Sequence, residues 1–478
     1  MRYKSIPIWE CKWAPLLWLL LASCGQSAQE KITGKASPPN IVFIFADDWG
    51  WGDLGAHGHP FIKTPNIDRM ALEGTDFYRF TAASSVGSPS RTAVLTGQFP
   101  ARHNVNASFS GIPINLRRNM PDWLDPEAIL LPRLLQQNGY RTGHFGKWQL
   151  TNSIINDAPS AESYGFDTYG TFNCSGVQMP FYEDAEQSIT FIKQAVSDEV
   201  PFYVNLWIHE PHIPHHAIPK YEKDFLHLEN DKDRVYSSVI FHADERIGKV
   251  LDVLDQLEVA KNTLVVFSSD NGPARNSRKR EMSFVSDPAT GIGYNIAAST
   301  GTTGGRRGYK ASLFEGGIGV PFIARWPGVI PAGKIDSTSL ISAVDLLPTF
   351  CEIGDVNLPE NYHADGLSQL KTLGGIPYPK RSKPLFWKAF SRNISEDNPD
   401  HWGSYAIVDK NWKLIANKDL TYVELYDIQA DVHEENDLKE KYPEIVMSLL
   451  EQIQEWEMTL PKKPNPKLFS KERSYSSE

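Results

Sequence analysis

The chain has 478 residues, enough for one large core and a smaller second domain. Its formal net charge of −10 argues against general affinity for nucleic acid. It leaves room for an anionic ligand, since only the pocket need be basic. Four cysteines are too few for a disulfide scaffold. Thirteen Trp and eighteen Tyr could supply stacking surfaces for sugar rings, although most are expected in the core or on the ordinary surface.

The N-terminal segment reads as an export signal. Arg2, Lys4 and Lys12 give a basic start, and residues 13–22 form an apolar run of signal-core length, short for a membrane span. The run ends Leu21-Ala22-Ser23-Cys24, which resembles a bacterial lipobox. On that reading the chain is cut before Cys24 and lipidated there. An exported lipoprotein of the periplasm, outer membrane or cell surface is then expected, touching the membrane only through its anchor. A plain secretory signal is the alternative. Residues 24–39 are polar and read as a tether. The two cysteines beyond, Cys174 and Cys351, are expected as buried thiols rather than as a long-range bridge.

From residue 40, apolar β-rich runs alternate with helical patterns. Strands are predicted at 40–46, 201–207 and 263–269, and helices at 67–73, 131–138, 184–196 and 243–257. This alternation predicts an α/β fold whose mostly parallel central sheet is flanked by helices. Residues 276–308 are rich in Ser, Gly and Thr and read as a long loop bracketed by Arg278, Lys279, Arg280, Arg306 and Arg307. Beyond 367, short strands at 385–390, 403–408, 412–416 and 421–426 precede an amphipathic helix at 443–458. They predict a small C-terminal α+β domain with an antiparallel sheet. The expected organisation is a main domain at 40–367, a C-terminal subdomain at 368–462, and a Lys/Pro/Ser-rich flexible tail at 463–478.

Two predicted strands end in hard oxygen donors: Asp47-Asp48 after the first and Asp270-Asn271 after the last. Ligands gather beyond the carboxyl ends of parallel strands. Three carboxylates and an amide at such a place suit Ca²⁺, with Mg²⁺ less favoured, and the absence of His and Cys from both pairs disfavours Zn²⁺. Residues 87–97 read Gly-Ser-Pro-Ser-Arg-Thr-Ala-Val-Leu-Thr-Gly, a loop entering a helix with Pro89 in the first turn. A helix N-terminus favours an anion, and Arg91 can add a fixed cationic fork for sulfate or phosphate.

Taken in order, the chain resembles the type I, formylglycine-dependent sulfatases of the alkaline-phosphatase-like superfamily, from about residue 40 to about 456. The resemblance rests on Asp47-Asp48, Thr64-Pro65-Asn66-Ile67-Asp68, the 87–97 string, Gly139-Tyr140, Gly146-Lys147-Trp148 and Pro211-His212. It continues through Ser269-Asp270-Asn271-Gly272, Lys310, Glu315-Gly316-Gly317, Asp345 to Thr349, Trp412-Lys413-Leu414-Ile415 and Glu424-Leu425-Tyr426-Asp427. It implies that Asp47, Asp48, Asp270 and Asn271 hold Ca²⁺. Arg91 would steady the nucleophile position, Lys147 and Lys310 would bind sulfate oxygens, and His212 would exchange a proton near the leaving oxygen. The partner implied is a sulfated oligo- or polysaccharide.

Two positions depart from that pattern. The family oxidises a Cys or Ser at the first signature position to formylglycine, its nucleophile; here stands Gly87, with no β-carbon to oxidise. Ser88 and Ser85 are out of register and do not substitute. The family's Gly-Lys-Trp-His-Leu reads Gly-Lys-Trp-Gln-Leu, so Gln149 replaces the His that helps deprotonate the hydrated aldehyde, and an amide cannot act as a base near neutral pH. Gly319, where Arg is common, is a smaller departure. The residues leave three expectations open: a sulfatase directed at carbohydrate sulfate esters, a non-catalytic descendant that binds sulfated glycans, or a phosphatase or phosphotransferase of the same superfamily. Of the segment His209 to His216, only His212 is expected at the site, with the other histidines on the rim or surface.

Overall fold

The computed structural model describes residues 38–172, 182–275, 280–287, 291–378, 380–390 and 399–475. Cys24 and most of the tether, Cys174, Arg278 and Lys279 lie outside them. Eight strands build the central sheet: β1 (Asn40–Ala46), β2 (Thr75–Phe77), β3 (Arg141–Lys147), β4 (Thr168–Phe172), β5 (Phe202–Trp207), β6 (Thr263–Ser269), β7 (Phe322–Arg325) and β8 (Lys334–Asp336). Their order is β8-β2-β7-β6-β1-β5-β3-β4. Only β7 runs against the rest; β6, β1, β5, β3 and β4 are mutually parallel neighbours.

The continuous apolar runs have a simple cause. In β1, Ile41, Phe43 and Phe45 enter the core on one face, while Val42, Ile44 and Ala46 enter the core on the other. A strand covered on both faces has no polar side to alternate with. The helix Asp184–Ser197 and the long helix Asp231–Gln256 cover the second face through Ile189, Ile192, Ile247 and Leu251. The long helix starts well before the predicted residue 243. Asn230 accepts from Lys232 N–H as its cap, and Val235, Tyr236, Val239 and Ile240 continue the buried stripe.

The four-stranded C-terminal sheet (Leu385–Lys388, Tyr405–Asp409, Trp412–Ala416, Val423–Asp427) is antiparallel throughout, as expected. It does not close a core of its own. Leu385, Ile407 and Leu414 lie in the same apolar cluster as Phe43 and Leu347. Trp456, from the helix Pro443–Met458, stacks on Phe386 with ring centroids 4.8 Å apart. Lys413, buried in this sheet, meets Glu315 of the main body and Glu434, each at 2.8 Å.

Two expectations need correction. The tail is not flexible as far as it is described. Leu468 is buried with Ile112, Trp123 and Ile155, Asp122 N–H donates to Leu468 O at 2.9 Å, and Ser470 N–H and Arg473 Nη2 donate to the Asp122 carboxylate. One apolar anchor and one buried carboxylate that needs donors outweigh a polar composition. The stretch 276–308 is not structureless either. Phe284–Asp287 and Gly291–Tyr294 pair as a hairpin, and Tyr294 exchanges backbone hydrogen bonds with His215. Cys351 is a buried free thiol, as expected, and burial pushes it up to about 12, so it stays protonated.

Candidate metal and sulfate-binding site

Four adjacent parallel strands deliver the site residues at their carboxyl ends. β1 is followed by Asp47-Asp48, β6 by Asp270-Asn271, and β5 by the segment that carries His212, while β3 ends on Lys147. β1 and β6 pair through Ala46 and Ser269, so the two acidic pairs emerge side by side. Ser269 Oγ accepts from Trp49 N–H at 2.9 Å and donates to Asn271 O at 3.0 Å, which ties the two loops together. A β-carbon at Gly272 would overlap Gly316 O, so only glycine lets the Asp270-Asn271 loop lie against Gly316-Gly317.

The signature string forms the helix Gly87–Thr96, with every residue buried and Gly87 at its start. Arg91, wholly inaccessible, extends Nη2 to Asp47 Oδ2 at 3.0 Å and to Asp270 Oδ2 at 2.8 Å, while Nη1 reaches Lys147 O at 3.2 Å. Its guanidinium lies over Trp207, 5.0 Å from the ring centroid. Lys147 Nζ is 2.5 Å from Asp47 Oδ2, and Lys310 Nζ is 2.6 Å from Asp48 Oδ1. Lys310 is held through its backbone, which donates to Pro273 O at 2.9 Å. His212 Nε2 lies 3.8 Å from Asp48 Oδ2. The structure thus brings Asp47, Asp48, Asp270, Asn271, Arg91, Lys147, His212 and Lys310 into one pocket. Gly87 and Gln149 belong to it too: a β-carbon at Gly87 would lie 2.7 Å from Asp270 Oδ2 and would overlap Gln149 Oε1. Ser88 is engaged elsewhere, its Oγ accepting from Phe109 N–H at 3.0 Å.

The electrostatics favour a further cation. Burial raises the Asp47 carboxyl, but the cationic Lys147, Arg91 and Lys310 outweigh it and hold it far below the ordinary carboxylate range. Burial, then the neighbouring Asp47, push Asp270 up to about 7 despite Arg91. Burial also raises Asp48, against the pull of Lys310. Three carboxylates in one water-poor pocket compete to ionise, and added positive charge relieves that competition. Burial, with Lys147 and Lys310, keeps His212 neutral. Its Nδ1 meets Ile213 O at 2.6 Å and is the donor in that pair, so Nε2 faces Asp48 as an acceptor. Asn271 donates Nδ2 to Asp48 Oδ1 at 2.7 Å and to Gly272 O at 2.9 Å, leaving a buried Oδ1 without a partner. Three carboxylates and an orphaned amide oxygen that converge in one pocket fit a divalent ion, and an oxygen-dominated set suits Ca²⁺ or Mg²⁺. Asp47, Asp48 and His212 lie within reach of one ion.

The sequence reading missed several parts of this arrangement. It placed His212 among proton carriers, not beside the acidic pair. It placed His209 and His215 on the rim or surface, whereas both are buried. His215 Nε2 bonds Ser299 Oγ at 2.7 Å, and the His209 ring sits 5.5 Å from that of His212. His144, inside β3, was not singled out. Its Nε2 meets Lys147 O at 3.3 Å, and burial, followed by Arg91, lowers it to about 3. At Gly319, a β-carbon would overlap Arg306 Nη1, so the head of Arg306 fills the space that a side chain there would take.

Comparison with known proteins agrees with this geometry. The sulfatase family matches residues 39–356, and the C-terminal region of N-sulphoglucosamine sulphohydrolase matches residues 307–459. N-acetylgalactosamine-6-sulfatase of Sus scrofa is 33% identical over 404 residues, covering 76% of this chain and 70% of that protein. N-acetylgalactosamine-6-O-sulfatase of Bacteroides thetaiotaomicron is 26% identical over 529 residues, covering 91% and 96%. In fold, Ps i-CgsB in complex with k-i-k-neocarrahexaose is similar with a TM-score of 0.74 at 24% identity, over 92% of this chain and 96% of that one. With the signature helix, the paired acidic strand ends and the three cationic side chains in one pocket, the chain belongs to the sulfatase family.

Proposed function

We propose that this protein recognises sulfate esters of carbohydrates at the pocket between Arg91, Lys147, His212 and Lys310, without turnover through a formylglycine. The observation that carries this reading is the placement of Gly87. It stands at the start of the signature helix, against Asp270 and Gln149, where a side chain would enter the pocket. The surrounding groups that bind an anion are retained, and the carbon that would be oxidised is missing. Covalent catalysis needs a nucleophile and a base; Gly87 offers no nucleophile and Gln149 no base.

Asp47, Asp48, Asp270 and Asn271 would hold the divalent ion, with His212 close by. Such an ion supplies charge neutralisation for sulfate oxygens. Lys147 and Lys310 lie against Asp47 and Asp48. When those carboxylates serve a metal, the two ammonium groups are free to point at a sulfate. His212, held neutral with its proton on Nδ1, can accept a hydrogen bond at Nε2 from a hydroxyl of the bound sugar. The names of the relatives make a 6-sulfated N-acetylgalactosamine residue the first candidate ligand. The Cys24 reading adds a lipid anchor on an exported protein, which would present this pocket to polysaccharide outside the cytoplasm.

A binding screen with sulfated and desulfated pairs of the same oligosaccharides tests the reading. Retention of the sulfated partners alone supports it, and equal binding of both members of every pair sinks it. Sulfate release by the unmodified protein at rates typical of enzymes would overturn the part that denies turnover.

A further inference from the structure

Gly87 and Gln149 are two halves of one replacement. A β-carbon on Gly87 would overlap Gln149 Oε1 and lie 3.2 Å from Gln149 Cδ and 2.7 Å from Asp270 Oδ2. The carboxamide of Gln149 therefore stands in the volume that any side chain at position 87 would enter. It reaches that volume from the turn after β3, with a left-handed backbone of φ 53°. A non-glycine residue adopts that conformation at a cost, and such residues cluster where a side chain must be aimed. Asp48, in the same pocket, is left-handed as well, with φ 66°.

Gln149 Oε1 is buried and has no hydrogen-bond partner. Asn271 Oδ1 is in the same state, on a residue with 0% exposure. The Asn271 amide is oriented by its own donors, which are spent on Asp48 and Gly272 O. A buried acceptor without a donor calls for an explanation, and an ion bound beside it is one. Here both oxygens belong to a pocket that also holds Asp47, Asp48 and Asp270.

Granting the cation that the proposed function invokes, we infer that Gln149 supplies its carbonyl oxygen as a ligand to that ion, in place of the side chain that Gly87 lacks. A carboxamide oxygen is a hard, neutral donor of the type that Ca²⁺ accepts. The exchange would offer the ion a protein oxygen at the start of the signature helix and leaves no hydroxyl there to attack sulfur. It also explains why the two positions change together. A side chain at 87 would displace the carboxamide, and a glycine at 87 without Gln149 would leave the ion short of a ligand.

Calorimetric titration of the full chain with CaCl₂ after chelator treatment tests this, with circular dichroism as the check on folding. The unmodified protein is expected to bind one ion. Gln149→Ala should weaken binding about tenfold or more, at least as much as loss of an outer-shell partner does. Gln149→Glu, which keeps the oxygen and adds charge, should bind at least as tightly as the unmodified protein. Gly87→Ala should weaken binding, because its methyl group displaces the carboxamide, although alanine suits a helix better than glycine. Calcium binding by Gln149→Ala equal to that of the unmodified protein would overturn the inference and leave the cation site standing. So would a folded Gln149→Glu that binds no ion. Failure of the unmodified protein to bind either Ca²⁺ or Mg²⁺ would remove the cation itself, and with it that part of the proposed function.

Discussion

Arg91 and Asp270 face each other at 2.8 Å with neither side chain exposed to solvent. The same Nη2 also serves Asp47 at 3.0 Å, so one guanidinium joins the loops after two neighbouring strands. Removing it leaves two buried carboxylates short of a partner, a change that typically costs about 3–5 kcal/mol. Arg91→Ala is therefore expected to lower unfolding stability by an amount of that order in chelator. Arg91→Lys should recover little of it, since a point charge cannot span both carboxylates. The loss should shrink in millimolar Ca²⁺, because the ion takes over part of the neutralisation. Denaturant titrations of both variants with and without Ca²⁺ read all three outcomes.

Metal removal should be visible without any ligand. A cation that binds only the folded protein stabilises it by about 2.7 kcal/mol at a hundredfold excess over its dissociation constant. In a chain of this size that corresponds to a rise of a few degrees in melting temperature. Treatment with chelator should lower the melting temperature, Ca²⁺ should restore it, and Mg²⁺ should restore it less. Asp270→Asn should abolish the response. A melting curve indifferent to chelator and Ca²⁺ would refute the assignment of these residues.

Restoring the nucleophile alone should fail. Gly87→Cys puts a β-carbon where Gln149 Oε1 now stands and still provides no base. Produced with a formylglycine-generating enzyme, Gly87→Cys is expected to release little sulfate. Gly87→Cys combined with Gln149→His should exceed it by about 10²–10⁴-fold, the usual contribution of a positioned general base. The assay is sulfate release from a 6-sulfated N-acetylgalactosamine glycan, with mass spectrometry to confirm oxidation of the new cysteine. Equal rates for the single and double variants would mean that Gln149 does not obstruct the restored group.

Three strands of the sheet were legible because, covered on both faces, they are written as apolar runs, as in Ile41 to Ala46, whereas β3, buried but reading Arg-Thr-Gly-His-Phe-Gly-Lys, was not. The convergence of acidic groups was legible because Asp47-Asp48 and Asp270-Asn271 end two such runs, which pair side by side. What could not be read was anything decided by distant partners. The tail shows this: its Lys/Pro/Ser-rich composition read as flexible until Asp122 and Trp123, far away in sequence, proved to receive Leu468. His215 looked like part of a polar cluster until Ser299 and Tyr294 closed over it. The contact between Gly87 and Gln149 belongs to the same class. Each departure was visible, but that one side chain fills the space left by the other depends on how β3 and the signature helix meet.

The docked tail gives a direct check. Leu468→Ala removes an apolar anchor from the cluster with Ile112 and Trp123. Buried Leu→Ala changes cost about 2–5 kcal/mol, and a site at the edge of the fold should fall near the lower figure. Limited proteolysis should then cleave the segment after residue 463 faster, while Ca²⁺ binding, which is set elsewhere, stays unchanged. Unaltered proteolysis would show that the polar contacts to Asp122 and Asp157 hold the segment without it.

Asp53 ties stability to pH. Its carboxylate accepts from Thr302 N–H at 2.8 Å, from Tyr236 Oη at 3.0 Å and from Gly50 N–H at 3.1 Å. Burial nevertheless pushes it up to about 7, from an ordinary 3.8. The folded state therefore binds more protons at this group than the unfolded chain between about pH 4 and pH 7. Stability from Asp53 is fully present below that window and falls as pH rises through it, by at most about 1.4 kcal/mol per pH unit. Buried histidines act in the opposite sense. His59 and His103 are lowered to about 4 by burial, so the folded state binds fewer protons there and gains stability as pH rises. The raw pH profile mixes both effects, and a comparison with Asp53→Asn separates them. The variant should be less stable than the unmodified protein at pH 4.5, since its amide nitrogen meets donors at Gly50 or Thr302. The gap should narrow steadily toward pH 7, as ionisation of Asp53 weakens only the unmodified protein. A gap that stays constant between those two pH values would show that Asp53 is ionised throughout.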